Sequence, residues 1–288
     1  MDKEILQKDE PQWCTLHSND ANHQAANLVN WQQEFDQLSQ GHFIGEIKER
    51  HFPHVHVFRE DTSHSLRQQC RVEGEGLWLG FSANEKSCRI NHEQTTNHQF
   101  LCRPGSRDFE LVTPEHFSIY GLVLHPSFFS ELVEQENQPL FDNDCDGLWL
   151  ENITATEANN FKQYLALLLQ PKSDRWSNHT HEHILQDAVI ELLSNAQQAP
   201  ITMNEICAAV HVSRRTLQYT FTQCYGIPPK QYIQALRLNQ VRRELFQKDE
   251  SQTIADIAIN YGFFHLAQFS QSYKRLFGET PQQTRQSF

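Results

Sequence analysis

Apolar and polar positions alternate along this chain in two textures, and the repeat lengthens from two residues to about 3.6 near Pro126. Between Phe43 and Leu124, short apolar runs such as Val55-His56-Val57-Phe58, Leu77-Trp78-Leu79 and Ile119-Tyr120-Gly121-Leu122-Val123-Leu124 are separated by clusters of Gly, Pro, Asn and Ser. That punctuation predicts several short strands, folded as a small β-barrel or sandwich. Farther on, Phe161, Tyr164, Leu165, Leu168 and Leu169 fall at i, i+3, i+4, i+7 and i+8, and Ile184, Leu185, Ala188, Val189, Leu192 and Leu193 repeat the stripe. Two amphipathic helices are expected, over 156–169 and 180–196. Residues 1–27, rich in Asn, Gln and His, read as a poorly ordered lead-in.

From Pro200 onward one helical pattern is written twice, about 52 positions apart. Thr202 with Glu205, and Thr253 with Asp256, have the spacing of a capping box, in which a hydroxyl accepts a backbone N–H and the acid reaches back. In the first copy Ser213 caps a helix that turns Arg214, Arg215, Gln218 and Tyr219 outward and Leu217 and Phe221 inward. In the second, Gly262 supplies a tight bend, after which Phe269, Tyr273 and Phe277 point to a core while His265, Leu266, Ala267 and Gln271 face out. Lys274 and Arg275 are positioned to meet phosphate. Polar and cationic side chains near a helix N-terminus can reach base edges in the major groove, so the pattern predicts two helix-turn-helix units on double-stranded DNA. A single such unit is weak support, because many helical hairpins look alike; two in register are strong.

Charge sharpens this picture. The chain carries −12 overall, which alone argues against a nucleic-acid partner. Residues 200–288, however, hold 10 Lys and Arg against 6 Asp and Glu, about +4, which leaves about −16 on the first 199. Seven cysteines without a CxxC spacing fit reduced thiols, and no run approaches a membrane span, so a cytoplasmic protein is expected.

The second copy reads Ile254-Ala255-Asp256-Ile257-Ala258, Tyr261-Gly262-Phe263, Phe269-Ser270, Tyr273-Lys274-Arg275-Leu276-Phe277-Gly278 and Pro281; the first contributes Val212-Ser213-Arg214-Arg215-Thr216-Leu217 and Leu236-Arg237-Leu238. Over residues 201–283 this resembles the AraC/XylS transcription regulators. The resemblance implies two recognition helices about one DNA turn apart, with Arg215, Gln218 and Tyr219 reading bases in the first unit and His265, Leu266, Ala267 and Gln271 in the second. It also implies a homodimer, paired through the helices at 156–169 and 180–196, that works with RNA polymerase as an activator and is not an enzyme. The fold class is then α+β. Residues 1–27 lead in, residues 28–199 form a cupin-like β-barrel with dimerisation helices, and residues 200–288 form the DNA-binding domain.

Trp31-Gln32-Gln33-Glu34-Phe35-Asp36-Gln37-Leu38, Val57-Phe58-Arg59-Glu60, Leu66-Arg67-Gln68-Gln69-Cys70 and Arg103-Pro104-Gly105-Ser106-Arg107-Asp108-Phe109-Glu110-Leu111 resemble segments of the regulators of ethanolamine-utilisation operons. That likeness implies a small-molecule effector, ethanolamine together with adenosylcobalamin. A small cationic amine asks for a carboxylate and an aromatic face, so Glu110 with Trp78, flanked by Arg67 and Phe81, is the expected pocket. An apolar-run tryptophan is more often plain core.

His54-Val55-His56-Val57-Phe58-Arg59-Glu60 has the H-x-H-x3-E spacing by which a cupin strand offers two imidazoles and a carboxylate to a metal. The flanking glycines of that motif are missing and no later strand supplies a clear fourth ligand, so ordinary surface or core histidines are the better reading and a cupin-like metal-binding domain is the alternative. Only Gln197-Gln198-Ala199 separates the second predicted helix from Pro200, which predicts rigid coupling of the two halves through that helix.

Overall fold

The computed structural model describes residues 13–74, 76–105, 107–125, 127, 149–152, 154–170, 225–247 and 252–287. Seven strands form one antiparallel sheet in the order β1 (Trp13–Ser18), β3 (Gly45–His51), β4 (Val55–Thr62), β11 (Phe117–Leu124), β6 (Leu77–Ser82), β9 (Gln99–Pro104) and β12 (Trp149–Asn152). Five more form a second sheet in the order β2 (Trp31–Gln37), β5 (Leu66–Val72), β10 (Phe109–Thr113), β7 (Arg89–Ile90) and β8 (Glu93–Gln94). Side chains alternate across each strand. In β5, Leu66, Gln68, Cys70 and Val72 are buried while Gln69 and Arg71 are exposed.

Two apolar layers hold this half together. Phe35, Ile47, Phe58, Leu66, Trp78 and Phe109 meet between the sheets. On the other face of the larger sheet, Val57, Leu79, Phe81 and Leu122 pack against Phe161, Leu165 and Leu168 of helix α2 (Ala155–Leu168). Strand β6 is buried on both faces, which is why Leu77-Trp78-Leu79 reads as a continuous apolar run rather than an alternating one.

Three expectations change here. The sheets do not close into a barrel; among the described residues no ladder joins one to the other. The outward side of β2 is met by helix α3 (Pro229–Phe246), whose Asn239 takes both backbone groups of Gln37, so a helix stands where a barrel would need a strand. Residues 13–26 are also not a loose lead-in. Trp13–Ser18 pairs with β3 from Trp13↔Arg50 to Ser18↔Gly45, and Asp20 caps helix α1 (Ala21–Ala26) by accepting from the N–H groups of Asn22 and His23. Their polar composition conceals a strand whose backbone bonds, not its side chains, define it. Finally, the apolar stripe of α2 is spent on the sheet of its own chain, so that stripe is not free to pair two copies; Leu167 lies off it, 61% exposed. The predicted helix at 180–196, the junction at Pro200 and the first helical repeat lie outside the described residues.

Helices α3, α4 (Ile254–Asn260), α5 (Leu266–Phe277) and α6 (Pro281–Gln286) surround a third core of Leu238, Val241, Leu245, Ile257, Phe269 and Tyr273, and Leu38 from the sheet half enters it. No helix among the described residues is long and apolar enough to cross a membrane.

Candidate nucleic-acid interface

The second repeat is built as its residues demand. Thr253 Oγ1 accepts from the Asp256 N–H at 3.1 Å, and the Asp256 carboxylate accepts from the Thr253 N–H at 3.0 Å, closing the capping box that starts α4. The Thr253 hydroxyl, donating to Asp256 Oδ2 at 2.6 Å, and then the Thr253 N–H hold the exposed Asp256 carboxyl below its usual range. Tyr261 ends α4, Gly262 turns at φ +84°, and α5 opens after His265 and closes on Gly278 at φ +78°. Phe269, Tyr273, Leu276 and Phe277 seat α5 on the core. His265, Leu266, Ala267 and Gln271 are exposed around its N-terminal half, and Lys274 and Arg275 are exposed in its last turn. Phe264 is 75% exposed beside them. Its only signal in sequence is a second aromatic directly after Phe263, with one core place to fill. An α-helix has the dimensions to enter a major groove, and Phe264 and Leu266 are exposed apolar side chains among these polar ones. Arg214, Arg215, Gln218 and Tyr219 lie outside the described residues.

Residues 206–287 match the helix-turn-helix domain family. That segment is similar to helix-turn-helix domains. Over 101 residues the chain is 39% identical to the HTH-type transcriptional regulator ArgR of Pseudomonas aeruginosa, covering 35% of this chain and 30% of that protein. Over 99 residues it is 27% identical to the XylDLEGF operon transcriptional activator 3 of Pseudomonas putida, covering 34% and 30%. The chain therefore spans about a third of the length of these curated relatives. Among solved structures, the AraC-like transcriptional activator CuxR aligns over 84% of this chain and 97% of its own at 12% identity and a TM-score of 0.46.

This helix-turn-helix domain is bound directly to the sheet half. Arg242 of α3 is buried, pairs with Asp20 and with Glu279 at 2.9 Å, donates to Tyr273 Oη and Thr284 Oγ1, and stacks on Phe277 at 4.6 Å. Arg243 pairs with Glu34 and Asp36, both at 3.0 Å, and Asp36 in turn pairs with Arg67 at 3.0 Å. Arg67 reaches Glu110 at 2.6 Å, and Tyr225 Oη donates to the other Glu110 oxygen at 3.3 Å. Burial is the largest influence on the Tyr225 phenol, and with the nearby Glu110 carboxylate it holds the group well above its usual range.

The expected effector residues divide accordingly. Arg67 and Glu110 are brought together, on the outward face of the five-stranded sheet. Trp78 is buried between the sheets, stacked on Phe109 at 4.5 Å, and Phe81 is buried on the opposite face of β6 against Phe100 at 4.6 Å. Neither aromatic reaches Glu110's surface; their places in an apolar run gave them to cores. What Glu110 does line is an open groove of about 490 Å³ with Gln32, Glu34, Gln69, Arg71 and Asp108.

The cupin-type trio is likewise split. His54 lies outside β4 and meets Ser127 Oγ at 2.9 Å. Glu60 is buried between Gln24 and Gln68, at 3.1 and 3.3 Å, and desolvation pushes its carboxyl up to about 7 despite those two donors. His56 points instead to Glu49, at 2.8 Å.

Proposed function

We propose that this chain is a sequence-specific DNA-binding transcription regulator, an activator that works as a homodimer with RNA polymerase. The observation that carries this reading is the α4–turn–α5 unit, opened by the Thr253–Asp256 capping box and closed by Gly278, with His265, Leu266, Ala267 and Gln271 exposed around the N-terminal half of α5 in a segment that matches the helix-turn-helix domain family. Selection of binding sites from random duplex DNA tests it: a recovered consensus bound at least about 10³-fold tighter than random duplex supports sequence-specific regulation. Uniform binding to all sequences would sink it.

The effector reading rests on the acidic groove. Glu34 and Glu110 both line it, and both are termini of the ion network that ties α3 and Tyr225 to the sheet half. A small cationic amine, the class to which ethanolamine belongs, would compete with Arg243 for Glu34 and meet Glu110, loosening the junction as it binds. Adenosylcobalamin, whose corrin macrocycle and nucleotide arm exceed about 490 Å³, would have to extend beyond this open groove. Thermal shift of the full chain with ethanolamine and with aromatic amines checks the class, because a ligand of the folded state raises the midpoint. An unmoved midpoint with both amines removes the amine reading and leaves the DNA reading intact.

A further inference from the structure

At one end of the larger sheet, three side chains that could ligate a metal converge on the inward face. Register pairs His51 of β3 with His56 of β4 across a hairpin, and Glu49 sits two residues before His51, so all three project from the same side. Glu49 Oε2 lies 2.8 Å from His56 Nε2 and 3.4 Å from His51 Nε2. The ligand atoms of the three lie within 4.8 Å of one another, and the two imidazoles stack with centroids 3.9 Å apart. Ligand bonds of about 2.1 Å at tetrahedral angles separate donor atoms by about 3.4 Å; the Glu49–His51 pair already has that spacing, while the Glu49–His56 pair must open by about 0.6 Å and the stacked rings must turn to aim both nitrogens at one ion.

Three further features set this cluster apart from an ordinary satisfied carboxylate. Glu49 is buried, 4% exposed, yet among the described residues its ion-pair partners are imidazoles alone, with no Lys or Arg. A buried carboxylate without a permanent cation favours a dication. Its second oxygen accepts from Cys14 Sγ on β1 at 3.1 Å, an outer contact that turns Oε2 toward the two rings. Access is open on one side, since the His51 side chain is 33% exposed.

We propose that Glu49, His51 and His56 form a binding site for a borderline transition-metal dication of the zinc class. Two imidazoles and one carboxylate leave a fourth position for water, the donor set that zinc and cobalt share. It is a different site from the His54, His56 and Glu60 spacing, using His56 with the neighbouring strand. The ion would pin β3 to β4 beside Arg50, whose Nη1 donates to the carbonyl of Leu168 at the C-terminal end of α2 at 3.1 Å.

The test is cobalt and zinc titration of the full chain, stripped with chelator, followed by visible absorption and calorimetry. One tetrahedral cobalt per chain, displaced by zinc, is expected. His56→Ala and Glu49→Gln should each weaken that binding at least about 10-fold, and His54→Ala should leave it unchanged. His51→Ala, at a partly exposed position, guards against misfolding of the more buried variants and should also weaken it. No tetrahedral cobalt in the wild-type chain, or the same cobalt spectrum and affinity in His51→Ala, overturns the assignment.

Discussion

The Asn239 side chain clamps the backbone of Gln37: Oδ1 accepts from the Gln37 N–H at 3.0 Å and Nδ2 donates to its carbonyl at 3.1 Å. The two residues lie 202 positions apart, one on a helix of the DNA-binding half and one at the end of β2. Gln37 answers with its own side chain, whose Nε2 donates to the carbonyl of Leu276 on α5 at 2.8 Å. The helix that should enter DNA is therefore hydrogen-bonded, through one strand residue, to the sheet that lines the acidic groove.

Breaking this junction should be costly because its groups are buried. Asp20→Asn keeps the α1 cap and leaves Arg242 with Glu279 as its remaining counter-charge, so the cost should be that of a charged hydrogen bond, about 1.5–3 kcal/mol. Urea unfolding of the full chain should show a loss of that order. A change below about 0.5 kcal/mol would place the pair among exposed bridges instead.

On DNA, Gln271→Ala should cost roughly 1–3 kcal/mol and relax preference at one base pair, whereas Lys274→Ala should weaken all sequences alike and lower the salt slope by about 1. Fluorescence anisotropy against a selected site and its single-base variants, at several salt concentrations, separates the two effects. Identical profiles would undo the division into base reader and phosphate anchor.

Phe264→Ser should reduce DNA affinity without lowering stability, since the ring is 75% exposed. Paired melting and binding measurements check it. A fall in melting temperature with binding intact would mean that Phe264 serves the fold.

Glu60 makes stability depend on pH. Its carboxyl is raised from 4.5 to about 7 in the folded chain, so the folded state holds its proton more tightly than the unfolded one. The stabilisation is fully present below pH 4.5 and is lost as pH rises through about 7, on the order of 3 kcal/mol at most. Glu60→Gln should flatten the slope of unfolding free energy over that window; an unchanged slope would assign it elsewhere.

Gly121 of β11 faces Phe58 so closely that an added Cβ would overlap the ring. Gly121→Ala should therefore destabilise the sheet half by about 1–3 kcal/mol through overpacking. Gly74 has open space around it but turns at φ +90°, so its replacement by Ala tests backbone strain alone.

The elements legible in sequence were those governed by local rules. Thr253 with Asp256, Gly262, Gly278 and the Phe269, Tyr273 and Phe277 spacing act within a few residues of one another, and each occurs where its pattern predicts. The apolar runs of β4, β6 and β11 likewise mark strands, because burial on a sheet face requires them. β1 is not legible in this way, because Trp13-Cys14-Thr15-Leu16-His17-Ser18 has no clean apolar alternation and its identity comes from bonds to a strand about 30 residues away.

The amino-acid sequence by itself determined the second helical repeat, with its Thr253–Asp256 cap and its exposed His265, Leu266, Ala267 and Gln271, since capping, turn geometry and 3.6-residue periodicity are local physics. Only the tertiary structure decided what non-local pairing controls. It left two sheets where a barrel was expected, sent Trp78 and Phe81 to separate cores, paired Arg67 with Glu110, and carried His56 to Glu49 rather than to His54 and Glu60. Strand register is the physical reason: it sets which distant residue faces which, and nothing within a single strand encodes its partner.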